Sequence, residues 1–120
     1  MWDHVGLKVK NLGASKRFYA AALAPLGYTV QYEDAASVGI GPKGAPALWL
    51  SEGQAKSAAH LAFSAPDRGA VNAFHSAALP AGGKDNGVPG LRPQYHANYF
   101  GAFVTDPDGN NVEAVCHKAS

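Results

Sequence analysis

Apolar and polar residues alternate along two separate stretches of this chain. Every second residue is aliphatic between Asp3 and Lys10, and the alternation returns between His60 and Ala65. A period of two is typical of a strand with one buried face. Further segments with strand character span residues 27–33, 37–41, 47–51, 95–105 and 111–117.

Each alternating stretch is followed by a segment with helical periodicity. Small and apolar residues recur at spacings of three and four over residues 14–26 and again from Val71 to Leu79. Asn11 or Ser15 can cap the first helix, and Asp67 can cap the second. Residues 52–57 are small and polar and are predicted to be a linker, whereas the glycine- and proline-rich residues 85–94 are predicted to be an irregular loop.

An internal repeat relates the two halves of the chain. After a shift of 56 residues without a gap, His4 aligns with His60, and eight of the 24 positions from His4 to Gly27 are identical. Each half then reads as one β-α-β-β-β unit. A unit of about 55 residues buries too little surface alone. We therefore expect one domain over residues 1–120, with modules at 1–52 and 58–120 that share an interface or pair with another chain.

The composition excludes several classes of protein. Of the 120 residues, 16% are charged and the net charge is +1, so a nucleic-acid partner is not expected. No apolar run approaches the ~20 residues of a membrane span, and a membrane partner is not expected either. The N-terminus lacks the pattern of a signal peptide, and Cys116 has no second cysteine to pair with. A cytoplasmic location is therefore the expectation.

Three residues on predicted strands are candidate metal ligands: His4, His60 and Glu113. Each lies on the strand face opposite the aliphatic residues, and the repeat supplies one histidine from the same place in each module. Two imidazoles and one carboxylate bind one side of a divalent ion and leave positions open for substrate or water. The alternative is that these are ordinary hydrogen-bonded histidines, which is the commoner role for a single strand histidine.

The chain resembles the vicinal oxygen chelate superfamily of glyoxalases, bleomycin-resistance proteins and extradiol dioxygenases. The resemblance rests on residues 3–7, 15–19, 60–63 and 103–113, including the turn Asp106-Pro107-Asp108-Gly109-Asn110 followed by Glu113. It implies an α+β fold in which two pseudo-symmetric βαβββ modules form a cupped mixed sheet. It also implies a divalent metal ion (Zn, Ni, Fe or Mn) held by His4, His60 and Glu113, and a homodimer.

One position departs from the glyoxalase I pattern. These enzymes use a fourth ligand, Glu or Gln, on the last strand of the first module. Aligning Gly44 with Gly109 puts Leu48 there, with Trp49 beside it, and neither side chain binds a hard cation. A three-ligand site is closer to the extradiol dioxygenases and the fosfomycin-type thiol transferases.

Further candidates surround the predicted loop. Arg92 is a candidate for holding an anionic group and His96 for acid–base catalysis, although a solvated loop explains both equally well. The aromatic residues Trp49, Tyr95, Tyr99 and Phe103, together with Phe100, are candidate walls for a ligand.

Two functions remain open from the sequence. The first is a metal-dependent enzyme that chelates a small oxygen-rich substrate and stabilises an enolate or oxyanion, as a lyase, isomerase, dioxygenase or transferase. The second is a metal-free protein that sequesters a drug-like or aromatic compound, as bleomycin-resistance relatives do. Both predict a small-molecule partner.

Overall fold

The computed structural model describes residues 3–54 and 59–120, which form two units built from the same elements. Module 1 contains β1 (Val5–Val9), α1 (Leu12–Leu23), a 3₁₀ turn (Ala24–Leu26), β2 (Thr29–Glu33), β3 (Ser37–Gly41) and β4 (Leu48–Glu52). Module 2 contains β5 (His60–Ser64), α2 (Arg68–Ala78), β6 (Lys84–Leu91), β7 (Phe100–Thr105) and β8 (Asn111–Cys116). Residues 55–57 of the predicted linker, and residue 58 at the predicted start of module 2, lie outside the described residues.

Each module folds its four strands into one mixed sheet. The strand order is β1-β4-β3-β2 in module 1 and β5-β8-β7-β6 in module 2. In both sheets the first strand runs parallel to the last, and the other neighbours are antiparallel. The predicted α+β fold of two pseudo-symmetric βαβββ modules is confirmed. β1 and β5 are edge strands, and within residues 3–54 and 59–120 no ladder joins the two sheets.

The helices form the centre of the molecule. Asn11 and Asp67 cap them as predicted, each accepting a hydrogen bond from the backbone three residues on. Phe18 and Phe74, which the repeat aligns, are both fully buried. α1 and α2 pack against each other as well as against their own sheets. No helix among the described residues is both long enough and apolar enough to cross a bilayer.

The prediction of an irregular loop at residues 85–94 is wrong over most of its length. β6 spans Lys84–Leu91 and pairs with β7, although its register shifts between Asp85 and Gly87 and again between Gly87 and Gly90. An edge strand tolerates bulges, glycine and proline that would break a central strand. Composition alone therefore concealed the strand.

The repeat slips by one residue at the end of the helix. α1 has 12 residues and α2 has 11. Gly27 (φ 89°) and Gly82 (φ 108°) occupy the left-handed position after each helix, and each amide donates to the carbonyl three residues before it. The ungapped alignment pairs Gly27 with Gly83, but in the structure Gly27 corresponds to Gly82.

The turn between β7 and β8 ties the two modules together. Asp106 is 4% exposed and accepts hydrogen bonds from the Tyr19 hydroxyl of α1 (2.5 Å) and from the Asn110 backbone (2.8 Å). Burial and the neighbouring Asp106 carboxylate raise the pKa of Tyr19, so its hydroxyl stays a donor. Asp108 accepts from the Lys10 amide at 3.3 Å. The turn on which the family resemblance rests thus has a structural role.

Candidate functional site

One face of the module 2 sheet points away from α2. On β8, the residues that flank Glu113 belong to the core, whereas Glu113 points to the opposite side. The register places Ala62 of β5 and Phe103 of β7 beside Glu113 on this side. We call the surface formed by Ala62, Phe103 and Glu113 the open face of module 2.

Glu113 is almost completely buried although it lies on the open face. Glu113 is 1% exposed, because His60 and Tyr99 cover its carboxylate. The Nε2 atom of His60 lies 3.0 Å from Oε1, and the Tyr99 hydroxyl donates to Oε2. A buried carboxylate without such partners would be strongly destabilising. Desolvation and the hydrogen bond to Glu113 raise the pKa of Tyr99, which keeps the phenol protonated.

His4 stands apart from this pair. Its side chain is 60% exposed, and its Nδ1 atom lies 2.8 Å from Asp3 Oδ1. Among the residues that the structure describes, no three His, Cys, Asp or Glu side chains converge closely enough to hold a metal ion. One chain therefore brings together His60 and Glu113, and the predicted triad with His4 stays a prediction.

His60 and Glu113 both carry donor atoms that bind divalent metal ions. An imidazole and a carboxylate suit all four metals that the sequence suggested. Neighbouring ligands of an octahedral ion with bonds of about 2.1 Å lie about 3.0 Å apart, and the His60 and Glu113 atoms are separated by 3.0 Å. The donor atoms of the two residues, and the distance between them, thus suit a divalent ion.

A groove runs along the edge of β5 beside this pair. Its volume is about 450 Å³, and its walls include His60 and Phe63 of module 2 and Val5, Tyr28 and Leu48 of module 1. The walls are mostly apolar, and the unpaired edge of β5 borders them. Val5 directly follows His4, so the starts of both edge strands approach the same groove.

Strand register identifies the counterpart of Glu113 in module 1. The residue after each aligned histidine pairs with Leu48 in module 1 and with Val112 in module 2. The next residue along the last strand is Trp49 in module 1 and Glu113 in module 2. Trp49 therefore occupies the position equivalent to Glu113.

The predicted correspondence between Leu48 and Glu113 is wrong by one residue. Leu48 is 3% exposed and belongs to the core. The stretch from Gly44 to Trp49 is one residue longer than the stretch from Gly109 to Glu113, which shifted the alignment. The chemical expectation is unaffected, because an indole cannot bind a metal ion either.

An aromatic ledge lies on the corresponding face of module 1. The rings of Trp49 and Tyr32 are 5.6 Å apart, and Tyr32 is 46% exposed. Gly39 lies under the indole, where an added Cβ would come within 2.8 Å of the ring. Gly6, on the other side of Trp49, has open space around it. We call Trp49, Tyr32, Gly39 and Gly6 the aromatic ledge.

Sequence reasoning missed Tyr32. Strict alternation put it on the same face as Tyr28 and Val30, which pack against the core. A bulge between Val30 and Tyr32 turns the ring to the other face. The sequence carried no signal for this bulge, although the structure shows a bulge at the matching place of β6.

Arg92 lies at the rim of the open face of module 2. Its guanidinium group is 5.4 Å from the centre of the Phe103 ring, and Nη2 donates to the Val88 carbonyl at 2.8 Å. Gly87 leaves room for this side chain, because an added Cβ there would lie 3.2 Å from Nη2. Arg92 and Phe103 thus share the face that carries Glu113.

His96 belongs to a ring cluster that reaches Glu113 through Tyr99. Its ring centre is 5.2 Å from that of His117, which is 5.3 Å from that of Tyr99. Tyr95 packs on Tyr99 at 5.0 Å and is 63% exposed. His117 is exposed, and the sequence did not predict that it joins this cluster. Tyr99, predicted as a ligand wall, contacts the carboxylate directly.

Phe100 does not belong to this site. It packs against the core, and the guanidinium group of Arg68 lies 5.1 Å from its ring centre. Phe100 pairs with Cys116, whose side chain is buried. The expectation that Phe100 lines a ligand cleft is therefore wrong.

Several solved structures share the fold of this chain. A glyoxalase/bleomycin resistance protein from Albidiferax ferrireducens is 27% identical, with a TM-score of 0.84, and the match covers 98% of this chain and 99% of that one. A glyoxalase-related enzyme from Fulvimarina pelagi is 19% identical over 97% of this chain and 87% of its own, with a TM-score of 0.73. A lactoylglutathione lyase from Agrobacterium tumefaciens is 18% identical over 97% and 92%, with a TM-score of 0.69.

The last two likenesses are in fold alone. No curated protein matches the sequence. The family model for the Glyoxalase/Bleomycin resistance protein/Dioxygenase superfamily matches residues 2–114, nearly the whole chain. Two βαβββ modules, the histidine that opens each module and the turn before Glu113 agree with that match. The chain belongs to the glyoxalase/bleomycin resistance protein/dioxygenase superfamily.

Proposed function

We propose that two copies of this chain pair to form a divalent-metal-dependent enzyme that acts on a small oxygen-rich substrate. The observation that carries the proposal is the buried Glu113 carboxylate with the His60 imidazole 3.0 Å away. Both side chains have the donor atoms that such ions prefer. A purely structural sheet has no need for a carboxylate in this position, because burying it costs free energy.

The third ligand in this proposal is His4 of the partner subunit. Within the described part of one chain, His4 joins no group that could hold a metal ion. β1 and β5 are both edge strands, and His4 and His60 lie at their starts. Pairing of these edges between two copies, in a register that places the two strand starts side by side, would extend each sheet and bring the partner's His4 to the His60–Glu113 pair.

The remaining residues suit a substrate with polarised oxygens. A bound divalent ion polarises a carbonyl or enolate oxygen and stabilises the charge that develops there. Arg92, at the rim of the open face, is suited to bind a second anionic oxygen of the substrate. His96 is the candidate to move a proton, since its Nδ1 atom accepts a hydrogen bond from the Asn98 amide and Nε2 then carries the proton.

Metal analysis of protein purified without a chelator tests this proposal. We expect a stoichiometric ion to survive dialysis in the wild-type protein and to be lost in His60→Ala and Glu113→Gln. His75→Gln is the matched control, because His75 is paired with Asp85 outside the site. Wild-type protein that takes up no ion when titrated with Zn²⁺, Ni²⁺, Fe²⁺ or Mn²⁺ would refute the proposal.

The aromatic ledge favours a second candidate function, which is sequestration of a planar aromatic compound without a metal. Trp49 and Tyr32 present adjacent ring surfaces, and Gly6 leaves open space on one side of the indole. This function predicts that aromatic ligands quench Trp49 fluorescence equally in the wild-type protein and in Glu113→Gln. Quenching that requires the metal, or no quenching at all, would count against it.

A further inference from the structure

The two oxygens of Glu113 have different partners. Oε1 faces the Nε2 atom of His60, and Oε2 accepts the hydroxyl of Tyr99. The His60 side chain is 57% exposed, so solvent reaches the imidazole that covers Oε1. The Tyr99 side is closed by the phenol ring.

We propose that Tyr99 is a positioning residue that occupies one oxygen of Glu113, so that the carboxylate binds the metal ion through the other oxygen alone. The inference rests on the proposed function. It assigns Tyr99 a role different from the ligand wall that the sequence suggested. A carboxylate that binds through one oxygen takes one coordination position, whereas a bidentate carboxylate takes two. The position thus kept free is available to a substrate oxygen.

The surrounding structure holds the Tyr99 hydroxyl in place. The Tyr99 carbonyl accepts the Arg92 amide at 2.7 Å, and the Tyr99 amide donates to the His96 carbonyl at 3.1 Å, so the backbone of this loop is fixed at both ends. The Tyr99 ring packs between those of Tyr95 and His117. These contacts do not depend on Glu113 and would remain when the ion binds.

Gly101 lies beside the hydrogen bond between Tyr99 and Glu113 and has no side chain that would obstruct it. An added Cβ at Gly101 would lie 3.2 Å from the Tyr99 ring and 3.4 Å from Oε2 of Glu113. Both approaches are tight, so a side chain at this buried position would press on the phenol and the carboxylate together. The absence of a side chain here allows the two groups to meet.

Co²⁺ titration of Tyr99→Phe tests the inference. This change removes the hydroxyl and keeps the ring. Hydrogen-bond partners of metal ligands typically contribute 10–100-fold to metal affinity, and we expect a loss of about that size. Tyr95→Phe is the matched control, because Tyr95 is an exposed member of the same ring cluster. The Co²⁺ affinity of this variant should differ from that of the wild-type protein by less than about twofold. Infrared difference spectra of Co²⁺-loaded minus metal-free protein report how the carboxylate binds.

The spectra decide between the outcomes. The wild-type protein should show the wide separation of carboxylate stretches that marks one-oxygen binding, and Tyr99→Phe should show the narrow separation of bidentate binding. Tyr99→Phe that keeps the wide separation overturns the inference and leaves the proposed function standing. Wild-type protein that binds no Co²⁺ refutes the proposed function itself.

If Tyr99→Phe fails to fold, a narrow separation in the wild-type protein overturns the inference and a wide one supports it. A tyrosinate absorption band in Fe³⁺-loaded protein would make Tyr99 a ligand and overturn it as well.

Discussion

Gly39 determines where the Trp49 side chain can lie. It sits directly across from Trp49 in the sheet, and an added Cβ would come within 2.8 Å of the indole and 3.0 Å of Pro46. Gly39→Ala should therefore push the ring off the sheet and reduce the free energy of unfolding by about 1–3 kcal/mol, the usual cost of overpacking.

Gly6→Ala is the control for this prediction, because nothing lies within 4 Å of its added Cβ. Urea unfolding measures the stability, and Trp49 emission in a Trp2→Phe background reports the position of the ring. Equal stability and emission in the two variants would contradict the assignment of Gly39 as the support of the aromatic ledge.

Single residues also mark how far the sequence could predict the site. The alternation of β5 and β8 was sufficient to put His60 and Glu113 on one face, because strand periodicity is local. Tyr32 was out of reach, because its orientation depends on a bulge that has no strict sequence requirement. The bond from Tyr99 to Glu113 joins a loop to a strand, and the spacing of residues along the chain does not predict such a contact.

At the scale of elements, α2 is attached to β6 through His75 and Asp85. His75 Nε2 lies 2.9 Å from Asp85 Oδ1. The hydrogen bonds from His75 and from the Gly87 amide lower the pKa of Asp85 below its ordinary value of 3.8. A lowered pKa means that the ionised carboxylate stabilises the folded protein.

This shift predicts a pH dependence of stability. The contribution of Asp85 is present above the unfolded-state pKa of 3.8 and is lost as the pH falls through the lower folded-state pKa. Urea unfolding midpoints should be measured near neutral pH and again just below pH 3.8. The decrease in midpoint between the two conditions should be smaller in Asp85→Asn than in the wild-type protein. An identical acid-induced loss in the two proteins would show that Asp85 does not contribute.

The hydrogen bond from Tyr19 to Asp106 attaches α1 to module 2, and we expect it to contribute to the free energy of unfolding. Tyr19→Phe removes a donor from a buried carboxylate, and hydrogen bonds to charged groups typically contribute about 1.5–3 kcal/mol. We expect a loss of that size in the free energy of unfolding. Tyr28→Phe is the control, since Tyr28 is half-buried against Phe63, and its loss should be smaller. Equal losses in both variants would argue against the role of the Asp106 turn.

At the scale of the whole molecule, the repeat predicted two modules but not how they face each other. Identities between the halves specify each unit, because strand and helix patterns are local. Helix packing and the hydrogen bonds from Tyr19 and Lys10 to the turn between β7 and β8 join the modules. The repeat does not predict the Tyr19–Asp106 bond, because it aligns Tyr19 with His75. The sequence therefore left open whether His4 meets His60 within one chain or between two.

A mixed dimer distinguishes these arrangements. His4→Ala and Glu113→Gln should each abolish Co²⁺ binding as homodimers. If every site combines His4 of the partner subunit with His60 and Glu113 of one chain, a heterodimer of the two variants contains one intact site and one doubly altered site. Differently tagged heterodimers, isolated by two affinity steps, should then bind one Co²⁺ per dimer. If all three ligands belong to one chain, every site in the heterodimer carries one substitution, and no ion binds. Restored binding would place the site between subunits and explain why the described part of one chain gathers only two ligands.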